Sequence, residues 1–212
     1  MNYQVLIADD YRMIRQMFEE IIKGAGGRYS LAGTVDNAEE AITFCRFHKV
    51  DLVVMDVVMG SGMDGIDAAA EIKKFSPNTK VLIVTSMPES SFIRRAKEAG
   101  VHSFWHKEVQ DAPLLDVIDR TMDGESVYPN AMPEVWFGNT VSTSLTDREL
   151  DVLHGLVGGA SNSEIAGDLG ISERSVKQHI TDMLNKTGFR SRLQLAVRAR
   201  GDGIVINDCH TV

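Results

Sequence analysis

Four short apolar runs in the first half of the chain constrain its fold more than any other feature. Val5-Leu6-Ile7-Ala8 stops at Asp9-Asp10, and Leu52-Val53-Val54-Met55 stops at Asp56. Val81-Leu82-Ile83-Val84 stops at Thr85, and Ser103-Phe104-Trp105-His106 stops at Lys107. Each run has the length of a buried strand, and helical patterns separate the runs. Strands alternating with helices build a parallel sheet covered on both faces. Ligands of such a sheet bind outside the carboxyl ends of its strands. Three carboxylates, one hydroxyl and one ammonium should therefore meet at one edge.

Helical patterns fall at about 11–24, 36–48, 64–75, 88–99 and 110–123, and a further strand is expected over Ser30–Val35. Five strands in alternation with five helices predict an α/β fold over residues 1–122, a doubly wound five-stranded parallel sheet. From Asp123 to Thr143 the chain is dense in Gly, Pro, Asn and Ser and reads as a linker, with Trp136 and Phe137 as candidates for packing on a domain. Residues 144–212 then read as a small all-α domain. Thr146 with Glu149, and Ser161 with Glu164, have capping-box spacing. Leu150, Leu153 and Val157 recur at helical spacing after the first box, and Ile165, Ala166 and Leu169 after the second. Gly170 makes a turn and Ser172 caps the next helix, which carries Val176, Ile180, Met183 and Leu184 on one face. Two short helices joined by a glycine-containing turn make a helix-turn-helix.

The net charge of −8 speaks against nucleic acid until its distribution is considered. Residues 170–200 hold seven basic side chains (Arg174, Lys177, Lys186, Arg190, Arg192, Arg198, Arg200) against Glu173 and Asp182, a local +5. A basic patch on an acidic protein suits a small DNA footprint. The two cysteines, Cys45 in a helical pattern and Cys209 near the end, read as reduced structural thiols and not as a disulfide framework or metal site. No leader and no membrane-spanning apolar stretch stands out, so a cytoplasmic location without a membrane partner is expected.

Three carboxylates at one edge repel, and a Mg²⁺ ion relieves that repulsion while keeping room for a phosphate oxygen. Asp56, just beyond a buried strand, can act as a nucleophile and form an aspartyl phosphate. Lys107 and the metal would neutralise charge on the transferring group, and the Thr85 hydroxyl could bond a phosphate oxygen.

On these residues the first 122 positions resemble a response-regulator receiver domain of flavodoxin-like fold. The resemblance rests on the acid pair Asp9-Asp10, the phosphoacceptor Asp56, the switch pair Thr85 and Phe104, and Lys107. It implies metal coordination by Asp10, Asp56 and the main-chain carbonyl of Val58, with Asp9 acting through water. It also implies a partner histidine kinase. One departure stands out. The family pattern has Met-Pro and a short turn to Asp-Gly, whereas here Met59 is followed by Gly60, Ser61, Gly62 and Met63 before Asp64-Gly65, with no proline and one extra residue. Glycines loosen a loop that proline would restrain, so this departure bears on phosphorylation rate and phosphate lifetime.

The second half resembles the LuxR-type helix-turn-helix, through Leu145–Glu149, Ser161–Ala166, Leu169–Ser172 and Ser175–His179. The two halves together are similar to a NarL/FixJ-family response regulator. The helix from Glu173 to about Lys186 would enter the major groove. Arg174, Gln178, Thr181 and Asn185 point away from its apolar face, with Lys177 on the flank. The resemblance puts base and phosphate contacts at Lys177, Gln178 and Thr181, and His179 meets a phosphate or packs. Leu193, Ala196 and Val197 share a side of the last helix, which in relatives pairs two DNA-binding units. Such a homodimer, formed on activation, would read two half-sites in double-stranded DNA, as an inverted or direct repeat.

The expected function is a phosphorylation-controlled transcription regulator. The alternative is a regulator with an atypical receiver that binds DNA without phosphorylation, motivated by the loop after Asp56. An enzyme is not expected. An aspartate-nucleophile phosphatase needs a second Asp where Val58 stands, and no Gly-rich loop follows the first strand to hold a dinucleotide.

Overall fold

The computed structural model describes residues 2–60, 62–108 and 112–205, so Cys209 lies outside the described residues. The chain forms two compact units, Met1–Ser86 with Phe92–Asn130, and Met87–Ser91 with Ala131–Val212.

The first unit alternates strand and helix: β1 (Tyr3–Ala8), α1 (Arg12–Gly24), β2 (Tyr29–Val35), α2 (Ala38–Phe47), β3 (Leu52–Met55), α3 (Gly65–Phe75), β4 (Lys80–Thr85), α4 (Ser91–Glu98), β5 (Ser103–His106) and α5 (Leu114–Met122). The sheet order is β2-β1-β3-β4-β5. All four pairings are parallel. Strand order reverses between β1 and β3, which is where such a sheet opens a crevice. Side chains alternate across the sheet. Val5, Ile7, Leu52, Val54, Leu82, Val84 and Trp105 pack with Phe18 and Ile22 of α1 and Leu114, Val117 and Ile118 of α5. Their neighbours Leu6, Val53, Met55 and Ile83 are equally buried and face the other way. Because both faces are covered, the strands read as continuous apolar runs.

The observed helices start and stop within a few residues of the expected ones. Asn37 and Asp64 cap α2 and α3 by accepting backbone N–H bonds. The helix expected from 110 begins at Leu114, and residues 109–111 lie outside the described residues.

Among the described residues, the second unit holds a small hairpin, β6 (Trp136–Phe137) and β7 (Thr140–Val141), a 3₁₀ turn at Ser142–Ser144, and four helices: α6 (Asp147–Val157), α7 (Asn162–Leu169), α8 (Glu173–Thr187) and α9 (Arg192–Gly201). Both capping boxes form as their spacing requires. Gly170 ends α7 in the left-handed conformation at φ +63°, and Ser172 caps α8. The core gathers Leu150, Leu153, Ile165, Val176, Ile180, Met183 and Leu195.

The stretch expected as a linker, 123–143, therefore carries structure of its own. Residues up to Asn130 belong with the first unit, and the hairpin belongs with the second.

Candidate functional site

The site residues are held by hydrogen bonds that continue the sheet one step past the strands. Asp9 N–H donates to Val35 O at 3.2 Å, Asp56 N–H to Ala8 O at 2.8 Å, and Lys107 N–H to Thr85 O at 2.8 Å. Each of these residues is thus fixed relative to the neighbouring strand and not left to a loop. Thr85 is fully buried as the last residue of β4, in register with His106 of β5.

At the centre, Lys107 Nζ lies 2.7 Å from Asp56 Oδ2 and 2.8 Å from Asp9 Oδ2. Asp56 is 8% exposed, and its Oδ1 accepts the Val57 N–H at 2.7 Å. Burial pushes the Asp56 carboxyl up to about 6, with Lys107 pulling it down and Asp9 pushing it further up. Burial pulls the Lys107 ammonium down, but Asp56 and Asp9 outweigh it and hold it above its ordinary value.

The three carboxylates do not play equal parts. Asp9 has no exposed surface; its Oδ1 accepts the Tyr11 N–H at 2.9 Å and its Oδ2 takes Lys107. Both Asp9 oxygens are thus taken up by Tyr11 and Lys107. Among the described residues, no group of three or more His, Cys, Asp and Glu side chains is arranged to hold a metal ion. Asp10 differs. Its Oδ2 accepts the Gly60 N–H at 3.2 Å, while its Oδ1 is buried without a hydrogen-bond partner. A buried carboxylate oxygen left bare is costly unless a cation or water completes it. Asp10, with Asp56 and the carbonyl of half-buried Val58, is thus the donor set that fits a hard cation.

The glycine loop after Asp56 is less slack than its composition suggests. Gly60 and Gly62 adopt φ of +69° and +133°, and Met63 N–H donates to Glu39 Oε1 at 3.3 Å. Gly65 N–H donates to Val57 O at 2.8 Å. A Cβ on Gly65 would stand 1.9 Å from Asp56 O, so only glycine lets α3 start this close to the end of β3. Glu39 escaped the sequence reading; its one signal is its place in the first turn of α2, which faces the same sheet edge.

In the second unit, α8 exposes Arg174, Lys177, Gln178, Thr181 and Asn185, and His179 is half-buried. Thr181 Oγ1 donates back to Lys177 O at 2.9 Å, which leaves the methyl as the group a base could meet. Gln178 Nε2 donates to Asp182 Oδ1 at 2.9 Å. Two features place this helix that sequence reasoning missed. Lys186 Nζ pairs with Glu149 Oε2 at 2.7 Å, tying the end of α8 to the start of α6. Burial pushes the Glu149 carboxyl up, but the Lys186 and Thr146 hydrogen bonds outweigh it and hold it below its ordinary value. The hairpin also caps the end of α8: Asn139 N–H donates to Thr187 O at 2.9 Å, and Phe137 meets Phe189 edge-on at 5.1 Å. On α9, Leu193 and Val197 are 69% and 61% exposed, while Leu195 and Ala199 fill the core.

Comparison with known proteins agrees with both halves. Residues 5–119 match the response regulator receiver domain, and residues 143–199 match the luxR family of bacterial regulatory proteins. The response regulator VraR of Staphylococcus epidermidis is 32% identical over 207 residues, covering 94% of this chain and 97% of the relative. VraR of Staphylococcus aureus is 33% identical over the same span. A LuxR-family two-component response regulator from Aurantimonas superposes on 60% of this chain and 89% of its own, with a TM-score of 0.56 and 27% identity. RcsB from Salmonella enterica serovar Typhimurium, solved on promoter DNA with the phosphomimetic BeF3−, shares the fold over 97% of this chain and all of its own, at a TM-score of 0.63 and 17% identity. A receiver match over more than half the chain, a LuxR-type match over residues 143–199 and relatives that align almost end to end make this protein a member of the two-component response regulators that join a receiver to a LuxR-type DNA-binding domain.

Proposed function

We propose that Asp56 accepts the phosphoryl group from a partner histidine kinase and that this event controls DNA binding by α8. The observation that carries the reading is the Lys107 ammonium bridging Asp56 and Asp9 beside the bare Asp10 oxygen. In the transfer, an Asp56 carboxylate oxygen attacks phosphorus as the bond to the kinase histidine nitrogen breaks, and that nitrogen leaves with the electron pair. Lys107 stays within reach of the acceptor and neutralises phosphoryl charge. The Thr85 hydroxyl turns to a phosphoryl oxygen, and Phe104, two positions before His106 on the neighbouring strand, responds to that turn. Asp10, Asp56 and the Val58 carbonyl would hold Mg²⁺, with Asp9 contributing through Lys107 or a water. When bound, the ion supplies neutralisation of the phosphoryl oxygens.

For DNA, Lys177 and Gln178 reach base edges, Thr181 offers its methyl to thymine, and Arg174, His179 and Asn185 meet the backbone. The exposed Leu193 and Val197, four apart on α9, supply the apolar contact of an activated homodimer that reads paired half-sites. RcsB on promoter DNA supports this arrangement by fold. A regulator fed by a kinase and reading the chromosome works in the cytoplasm, and no described helix is long and apolar enough to cross a membrane.

The test is phosphate incorporation from acetyl phosphate with and without Mg²⁺, followed by DNA retardation at fixed salt. Wild type should gain one phosphoryl group only with Mg²⁺ and then bind DNA more tightly, and Asp56→Asn should do neither. Equal DNA affinity with and without incorporation would favour a phosphorylation-independent regulator, the reading that the lengthened Gly60–Gly65 loop makes worth testing.

A further inference from the structure

The receiver's fifth strand is the last in its sheet, and its outer edge is covered by residues 126–129, which follow α5. Phe104 N–H donates to Val127 O at 2.8 Å, and Val127 N–H donates to Ser103 Oγ at 3.1 Å. Tyr128 OH donates to Val101 O at 2.8 Å. The Tyr128 ring stacks on Phe104, with centroids 6.3 Å apart and planes 24° from parallel. Lys97 Nζ of α4 lies 5.1 Å from the centre of the same Tyr128 ring. Phe104 is in consequence only 1% exposed, although it sits on an edge strand. Beside it runs a cavity of about 260 Å³, lined by Phe104, Trp105, Val117, Arg120 and Tyr128 among others. Close-packed interiors hold a ring in one place; an open space beside a ring is what lets it change rotamer.

We propose that Tyr128 is the positioning residue of the receiver's switch: it seats Phe104 at rest, and displacement of Phe104 on phosphorylation loosens the 126–129 strap. The proposal rests on Asp56 as acceptor and Thr85 and Phe104 as the switch pair. Its physical content is a shared contact. Phe104 gives the strap both a backbone donor and a stacking face. If Phe104 turns away from Tyr128 towards Thr85, on the same face of the sheet, the stack is lost and the strap is held by its backbone bonds alone. If Phe104 stays, the strap stays. The strap begins four residues after α5 and directly precedes in sequence the boundary at Asn130 and Ala131, one of the places where the chain passes between the units, so loosening it frees the chain at that passage. A long-range signal can thus start from one aromatic contact biasing a two-state segment.

The test is amide exchange and chemical shift by NMR on the full chain, with and without BeF3− and Mg²⁺, for wild type, Asp56→Asn, Tyr128→Ala and Tyr128→Phe. In wild type, exchange of the Phe104 amide should quicken about tenfold on addition of BeF3−, together with a shift of the Thr85 amide, and Asp56→Asn should show neither. Tyr128→Ala should exchange rapidly at Phe104 from the start and gain less than about twofold on addition, while its Thr85 amide still shifts. Tyr128→Phe keeps the stacking ring and loses only the bond to Val101, so its response should match wild type. A purely structural tyrosine would slow or quicken exchange without changing the response. A wild-type Thr85 shift with an unmoved Phe104 amide would overturn the proposal, as would a wild-type response in Tyr128→Ala. Silence at Thr85 in wild type would instead remove the acceptor reading and the coupling with it, and that outcome is recognised by the absence of any response at the sheet edge.

Discussion

Lys107 Nζ stands 2.7 Å from Asp56 Oδ2, and the lysine side chain is only 13% exposed. The pair is buried, and Asp9 shares the same ammonium. Removing one member of such a cluster leaves charge without compensation. Lys107→Met should lose about 3 kcal/mol of stability at neutral pH, and less at pH 5, where Asp56 can take a proton. Acetyl-phosphate incorporation should fall by about a hundredfold, because the ammonium is lost from the transferring group. Thermal melting at the two pH values and initial rates check both parts.

With Asp56 as the proposed acceptor, its raised carboxyl should make phosphorylation pH-dependent. The nucleophile is the ionised form, and its value near 6 leaves about one-tenth ionised at pH 5. Initial rates at limiting Mg²⁺ should therefore drop about tenfold from pH 7 to pH 5. Raising Mg²⁺ should move the midpoint to lower pH, since a cation favours the carboxylate. The stability sign is opposite to the usual carboxylate. The folded value lies above the unfolded one, so the favourable contribution is full below about 4 and is lost as pH rises through about 6.

Asp10 Oδ1 should make Mg²⁺ a stabilising ligand. At a concentration of one hundred times its Kd, the ion should add about 2.7 kcal/mol to the receiver's stability. Asp10→Asn should abolish most of that gain while keeping a fold as stable as metal-free wild type, because it removes charge from an uncompensated buried oxygen. Melting with and without Mg²⁺ reads the difference.

The proposed contacts of α8 divide into phosphate and base contacts, which substitutions separate. Arg174→Ala should weaken binding about equally on all sequences, and the log–log salt slope should fall by about one. Gln178→Ala should cost about 1–3 kcal/mol on the cognate site and less on other sequences. Asp182→Asn should tighten binding, because Asp182 both repels phosphate and holds Gln178 Nε2 at 2.9 Å in the free protein. Retardation assays across a salt series distinguish the three.

Gly138 tests the hairpin's grip on α8. Its φ is +64°, and a Cβ there would stand 2.1 Å from Thr187 O. Gly138→Ala should destabilise the second unit by about 2–3 kcal/mol through overpacking and left-handed strain. Isolated melting of the two units, followed by Trp136 and Trp105 environments, shows whether the loss stays in the second.

Most of the architecture was legible along the chain. The apolar runs, the capping boxes at Thr146 and Ser161 and the glycine turn at Gly170 each act over one to four residues, where side-chain periodicity and backbone geometry speak directly. The strand-end rule then named Asp9, Asp56, Thr85 and Lys107, because parallel strands present their carboxyl ends together. What that rule could not assign was the division of labour among three acids, since it depends on which oxygen each N–H or ammonium takes. It also missed Glu149 as a clamp on Lys186, because the capping box fully accounts for Glu149 until another helix lies beside it.

The sequence by itself determined an alternating α/β half, a helix-turn-helix half, and the residue types at the sheet edge and on the exposed face of α8. Only the tertiary structure decided that Lys107 reaches across 98 positions to occupy Asp9, that Asp10 keeps a bare oxygen, and that Tyr128 covers Phe104. The reason is the range of the forces involved. Periodicity is written in near neighbours, whereas a bond between distant side chains exists only once strand order and register have brought their backbones to a few ångströms of each other.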